Sequence, residues 1–344
     1  MGSNCCYMKY SPAGGRAYIV AEIGGNFTTY AEAASLVDAA AACGVDAIKL
    51  QTYRAETVAS KKAMFDMENT GVASQFDLFK KYEISEALHR RIFDYIQSKG
   101  LDWFSTPSHP TDVEMLDRLG VEAYKVGSDD AVNIPFLKYL ARRGKPLFLA
   151  TGMCTLEEVG ESVAAILGEG NSQLVLLHAV TSYPTHPLDV NLSAMKAMRE
   201  AFGLPVGYSD HTLGITACMA AAALGAAVLE KHFTTDRQAD GPDHILSADP
   251  TQMKELVAQV RLVETMRGSG LKMPAASEKT TRLNNRKSIV ITRDLPAGYR
   301  LTEADIAVKR PGYGIAPRHL ELLIGRTLNR SVAADQVLSW GDLQ

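Results

Sequence analysis

The chain has 344 residues, 46% hydrophobic and 22% charged, and its 36 basic against 39 acidic side chains leave a formal charge of −3. That balance offers no broad basic field to draw nucleic acid or an anionic membrane surface. No run approaches the roughly 18 apolar residues of a membrane span, and the opening MGSNCCYMKYSPAGG lacks the apolar stretch of a signal peptide, so a cytoplasmic protein is expected.

Short apolar runs alternate with amphipathic stretches to about residue 267. Strands are expected at 17–24 (AYIVAEIG), 46–52 (DAIKLQT), 102–107 (DWFSTP), 123–128 (AYKVGS), 146–151 (PLFLAT), 174–180 (LVLLHAV), 205–211 (PVGYSDH) and 227–233 (AVLEKHF). Each is rich in branched or aromatic residues, and glycines such as Gly44, Gly100, Gly120 and Gly144 punctuate the approach to them. Between strands, stretches such as YAEAASLVDAAAACG space apolar residues by three and four, as a helix does. Eight strand–helix units predict an α/β fold, a closed (β/α)8 TIM barrel of parallel strands. An open doubly wound sheet is the alternative, but no GxGxxG turn follows the first strand. The stretch 53–84 is too long for an ordinary connection and reads as a lid or binding loop. Thus 1–267 is expected to be the barrel domain and 268–286, polar with Gly, Pro and Ser, a linker. Residues 287–344, with turns at Pro296-Ala297-Gly298 and Pro311-Gly312, are expected to be a small β-rich domain; no internal repeat is read beyond the strand–helix rhythm. The five cysteines, Cys5, Cys6, Cys43, Cys154 and Cys218, lack metal or redox spacing and read as reduced thiols.

In such a barrel the chemistry gathers at the C-terminal ends of the strands. Those ends carry Glu22 and Asn26, Lys49 and Gln51, Ser105 and Thr106, Ser128 and Asp130, Thr151, Thr181 and Tyr183, Ser209 and His211, and His232, whereas the opposite ends carry nothing comparable. An enzyme is therefore expected. His211 and His232 end neighbouring strands, beside Asp210 and Glu230, and two converging imidazoles can share a divalent cation. Lys49 in the mouth needs an anion, a carboxylate or phosphate, or else serves as a Schiff-base lysine; Lys125 raises the same question. Thr106, Ser128 and Ser209 can ring a phosphate with hydroxyls. Glu22, Asp130 and Asp243 are the candidate acids and bases.

The segments AEIGGN, IKLQT, STP, YKVGS, ATGM, YPT, GYSDHT, LEKHFT, GPDH and KRPGYGI resemble, in order and spacing, those of the sialic acid synthase family over about residues 17–330. That family joins a phosphoenolpyruvate-condensing barrel to a domain similar to type III antifreeze protein, which 287–344 resembles. The resemblance implies Mn2+ or Mg2+ on His211 and His232. It implies phosphoenolpyruvate on Lys49, Thr106, Ser128, Ser209 and Arg286, and an open-chain amino sugar on Gln51, Tyr183 and Asp243. Glu22 is implied between sugar and metal, with Glu22 or Asp130 as base. Arg310 is implied to reach the sugar in a partner's barrel, hence a domain-swapped homodimer. The chain departs from the family at Phe27 (usually His), Asp130 (usually Glu), Ala150 (usually Ser) and Thr181 (often Asn), which leaves the sugar open between N-acetylmannosamine and a diacetamido-trideoxy hexose. A pyruvate aldolase and a non-catalytic sugar-binding protein are the alternatives.

Overall fold

The apolar runs become parallel strands that close on themselves. In this computed structural model, which describes residues 15–68 and 70–344, they are β1 (Tyr18–Glu22), β2 (Ala47–Thr52), β3 (Asp102–Pro107), β4 (Tyr124–Val126), β5 (Leu147–Ala150), β6 (Leu174–Ala179), β7 (Val206–Asp210) and β8 (Val228–His232). Each pairs with the next, and β1 pairs with β8, so the (β/α)8 barrel expected from the sequence is the fold. The strands are buried on both faces, which is why they read as continuous apolar runs. The N-terminal reading and Cys5 and Cys6 lie outside the described residues.

Local signals set the helices between them. The helix Tyr30–Cys43 starts at a capping box in which Thr29 and Glu32 satisfy each other's backbone N–H groups, and stops where Gly44 turns left-handed. Leu156–Gly168 begins in the same way at Thr155 and Glu158. The helices bury one apolar face against the outside of the barrel, and Phe27 joins that cluster. Inside, Gly207 lies so close to the Val228 carbonyl and Leu177 that any Cβ would collide with them. Among the described residues no helix is long and apolar enough to cross a membrane.

The chain divides into two compact units, Met1–Gly268 and Ser269–Gln344. Part of the stretch read as a linker is ordered within the second unit, as a helix over Lys279–Asn285. The second unit has its own apolar cluster, including Ile289, Ile291, Leu301, Leu328 and Leu338, and one antiparallel pair, β9 (Ser288–Ile291) with β10 (Ile306–Lys309). It also contains a repeat that the sequence reading missed, offset by 37 residues (293 to 330, 305 to 342). Arg293 binds Asp305, which caps Thr302, just as Arg330 binds Asp342, which caps Ser339. Gly298 and Asp335 both turn left-handed, and their N–H groups reach the carbonyls of Leu328 and Ile291.

Candidate active site

Side chains alternate along a strand, so β8 points Val228, Glu230 and His232 inward and Leu229 and Lys231 outward. The same alternation on all strands builds the barrel interior in layers. Tyr18, Val20, Phe104, Phe148, Leu177 and Val228 plug the lower part. Above the plug lie Glu22, Lys49, Lys125 and Glu230, all buried. The register puts Glu22 opposite both Lys49 and His232, and Glu230 opposite Ser209.

These four charges form one network. Lys49 pairs with Glu22, stands 4.0 Å from Glu230, and donates to Thr106 Oγ1 at 3.0 Å. Lys125 pairs with Glu230 at 2.8 Å, and the Ser209 hydroxyl donates to the same carboxylate oxygen at 2.9 Å. Burial alone would neutralise Lys49, but Glu22 and Glu230 hold its pKa above the ordinary lysine value. Burial lowers the pKa of Lys125, with Glu230 opposing. Burial also raises Glu22 above the usual carboxylate range, against the pull of Lys49. For Glu230 burial acts upward too, yet Lys125 and Lys49 outweigh it and keep the carboxyl low. Gly24 has no Cβ because Glu22 and Gln51 occupy that space, and Gln51 donates to Glu22 at 3.3 Å.

His211 and His232 converge at the rim with ring centroids 5.4 Å apart, and Tyr183 packs 4.3 Å from the His211 ring. The His211 Nδ1–H donates to the Val180 carbonyl at 2.8 Å, which leaves its Nε2 lone pair free to bind. Burial takes the His211 pKa to about 4 and that of His232 well below its ordinary value, so both rings are neutral. His232 Nδ1 is buried without a hydrogen-bond partner; the nearest acid oxygen is Asp243 Oδ2 at 3.6 Å. Burial, with Glu22 nearby, raises Asp243 to about 7. A metal–nitrogen bond of about 2 Å sets two imidazole centroids roughly 5 Å apart on one ion, so this pair fits a divalent cation. Among the described residues no group of three His, Cys, Asp or Glu completes a metal site, so such a cation would take its remaining ligands from water and substrate oxygens.

A cavity of about 430 Å3 opens over this layer, lined by Lys49, Gln51, Thr106, Lys125, Ser128, Thr181, Tyr183, Ser209, His211, Glu230, His232 and Asp243. Ser128 Oγ accepts from the Gly152 N–H at 3.0 Å, while Thr181 Oγ1 is buried with no partner. Ala150 lies in the wall, as expected for a lost hydroxyl, but Phe27 is core. The stretch 53–84 closes the cavity from above with a hairpin, Met64–Met67 against Gly71–Ser74, and a helix, Gln75–Tyr82.

Several residues singled out in the sequence stand elsewhere. Asp130 does not line this cavity. A turn in which its N–H donates to Gly127 carries it past the rim, where it accepts from Asn133 Nδ2 at 2.8 Å, and its neighbour Asp129 lines the wall instead. Asp210 points outward, away from the histidines, and pairs with Lys231 at 2.9 Å. Asn26, Ser105 and Thr151 tie loops and strands together: Asn26 donates to the Phe233 carbonyl, Ser105 bonds Thr52, and Thr151 donates to Leu177. Arg286 and Arg310 belong to the second unit, both exposed, Arg286 directly after the helix Lys279–Asn285 and Arg310 directly after β10. Lys125 and Glu230 had weaker signals in the sequence than their central positions warrant.

Residues 36–272 match the NeuB family, and residues 286–344 match the SAF domain. The chain belongs to the NeuB family. It is 39% identical to the N,N'-diacetyllegionaminic acid synthase of Legionella pneumophila over the whole of both chains. It is 31% identical to the N-acetylneuraminate-9-phosphate synthase of Homo sapiens, covering 93% of this chain and 91% of that one. Its fold superposes with a TM-score of 0.70 and 31% identity on the N-acetylneuraminic acid synthetase of Leptospira borgpetersenii, over 77% of this chain and 90% of that one. The NeuB-family barrel and SAF domain thus agree with the architecture and the resemblance read from the motifs.

Proposed function

We propose that this enzyme is a nonulosonic acid synthase that condenses phosphoenolpyruvate with an N-acetylated amino-sugar aldehyde. A bond forms between C3 of phosphoenolpyruvate and the aldehyde carbon, water adds at C2, and phosphate leaves with C–O cleavage. A six-carbon acceptor then yields a nine-carbon 2-keto acid. The observation that carries this reading is a cavity in which two buried lysines and the hydroxyls of Thr106, Ser128 and Ser209 face two neutral imidazoles and Asp243, an acid of raised pKa, with Glu22 buried beneath beside Lys49.

The residues divide by chemistry. Lys49, Lys125, Thr106, Ser128 and Ser209 hold the phosphate and carboxylate of phosphoenolpyruvate, and the unpaired hydroxyl of Thr181 is free to donate to the same anion. Gln51, Tyr183 and Asp243 orient the sugar. Asp243, with a pKa of about 7, gives a proton to the developing alkoxide oxygen, and Glu22, buried beside Lys49 with a raised pKa, takes one from the attacking water. His211 and His232 would hold Mn2+ or Mg2+, which when bound supplies Lewis acidity at the sugar carbonyl. Charge supports that cation: Lys49 and Lys125 are matched by Glu22 and Glu230, so the network adds no net positive charge to receive a multiply charged anion. The resemblance adds Arg286 at the anion and Arg310 of the partner subunit at the sugar, in a homodimer. The free thiols Cys43, Cys154 and Cys218 suit a reducing cytoplasm.

Phosphate release from phosphoenolpyruvate across a panel of N-acetylated hexosamines tests the reading. Release with at least one sugar is expected, abolished by EDTA and restored by Mn2+, with His211→Ala roughly a hundredfold slower. Failure with every sugar, or borohydride trapping of pyruvate on Lys49 or Lys125, contradicts it.

A further inference from the structure

The loop that follows β8, residues 233–249, carries Asp243 and is gripped from two sides. On one side the barrel holds it. Asn26 Nδ2 donates to the Phe233 carbonyl at 3.0 Å and to Ser247 Oγ at 3.2 Å, and the Ser247 hydroxyl donates to the Asp243 carbonyl at 2.7 Å. Thr234 Oγ1 shares a hydrogen bond of 2.7 Å with His244 Nδ1. On the other side the lid holds it. Tyr82, the last residue of the lid helix Gln75–Tyr82, is buried, and its hydroxyl donates to the Asp240 carbonyl at 3.3 Å. Lys81 pairs with the Asp240 carboxylate at 2.8 Å, a weaker tie because both side chains are exposed. Gly241 is pressed between the two grips: a Cβ there would lie 2.6 Å from His244 Cδ2 and 3.4 Å from the Tyr82 hydroxyl oxygen.

Asp243 stands two residues beyond that point. Its carboxylate leans over Gly25, where a Cβ would come 3.2 Å from Oδ2, and it ends 3.6 Å from His232 Nδ1. Among the described residues no hydrogen bond fixes that carboxylate, so the backbone of the loop sets its place. We propose that Tyr82 is a positioning residue for Asp243: with the lid docked, its ring and hydroxyl fix the Asp240–Gly241 peptide, and that peptide sets the carboxylate. This rests on the synthase reading above, in which Asp243 orients the sugar and protonates its alkoxide oxygen. Glu83, the next residue, accepts from the Ala55 N–H at 3.0 Å, so the two ends of the lid are tied together where Tyr82 meets the loop. Docking of the lid and placement of Asp243 are thereby one event, and the sugar site is complete only when the cavity is closed.

Two measurements on the full chain test this. Hydrogen–deuterium exchange needs no sugar: Tyr82→Ala is expected to speed amide exchange across residues 236–244 about tenfold with the barrel strands unchanged, and Tyr82→Phe, which keeps the ring, about threefold or less. The second measurement is phosphate release with phosphoenolpyruvate, Mn2+ and the fastest acceptor of the hexosamine panel. There Tyr82→Ala is expected to lower kcat/KM for the sugar about tenfold and to leave the KM for phosphoenolpyruvate within about twofold. In an Asp243→Asn background the same substitution should cost less than about twofold, because Tyr82 acts through that carboxylate. Losses that simply add, as direct contact of Tyr82 with the sugar would give, overturn the inference. Exchange across 236–244 that stays at the parent rate overturns it as well. Phosphate release with none of the sugars overturns the synthase reading and the role of the carboxylate with it, whereas unchanged exchange overturns the coupling alone.

Discussion

Glu230 and Lys231 are neighbours in the chain and opposites in the barrel. Glu230 faces the cavity and receives Lys125 and Ser209, while Lys231 faces the helices and binds Asp210 at 2.9 Å and the Thr212 carbonyl. Tyr208, Thr212 and Cys218 also donate to Asp210, so β7 and β8 are pinned together beside the residues that present His211 and His232. Lys231→Met leaves Asp210 buried without its cation, and a loss of about 3–5 kcal/mol is expected in urea unfolding. Adding Asp210→Asn should recover part of it; two single effects that simply add would contradict the coupling. The sequence placed Asp210 and Glu230 beside the histidines but could not orient them, because a strand buried on both faces has no solvent side to reveal the alternation. Asp129 and Asp130 pose the same difficulty, being identical in chemistry and distinguished only by the turn at Gly127.

At the scale of elements, the eight strands were legible because branched and aromatic runs, several of them entered just after a glycine, have few other ways to fold. The lid hairpin was not: its strands are four residues each, pair only with one another, and bury one face over a cavity, so no strong period marks them. The 37-residue repeat escaped for a different reason, since the two copies share shape-determining positions and little else. Both of its buried carboxyls titrate below the ordinary aspartate range: burial pushes Asp305 and Asp342 up, but hydrogen bonds from Thr302 and Ser339 and the paired arginines outweigh it. Carboxyls depressed in the folded state stabilise it fully above about pH 4 and cease to do so as pH falls through the folded-state value. The second unit, followed through Trp340 fluorescence in a Trp103→Phe background, should therefore lose stability below about pH 4. Asp305→Asn with Asp342→Asn should flatten that acid limb and cost about 1–2 kcal/mol per site near neutrality. A stability that is level through the acid range in the parent chain would contradict this.

For the whole molecule, family membership and architecture were readable from ordered motifs, whereas the charge balance of the site needed coordinates. Two lysines at strand ends suggest a cationic pocket; the folded barrel matches them with Glu22 and Glu230, so this network carries no net positive charge of its own. The central claim is condensation with C–O cleavage, and phosphoenolpyruvate carrying 18O in its bridging oxygen tests it most directly. With Mn2+ and an N-acetylated hexosamine that supports phosphate release, mass spectrometry should find the label in the released phosphate and an unlabelled C2 oxygen in a nine-carbon keto acid. Label retained in the keto acid, or pyruvate as the only organic product, would contradict it.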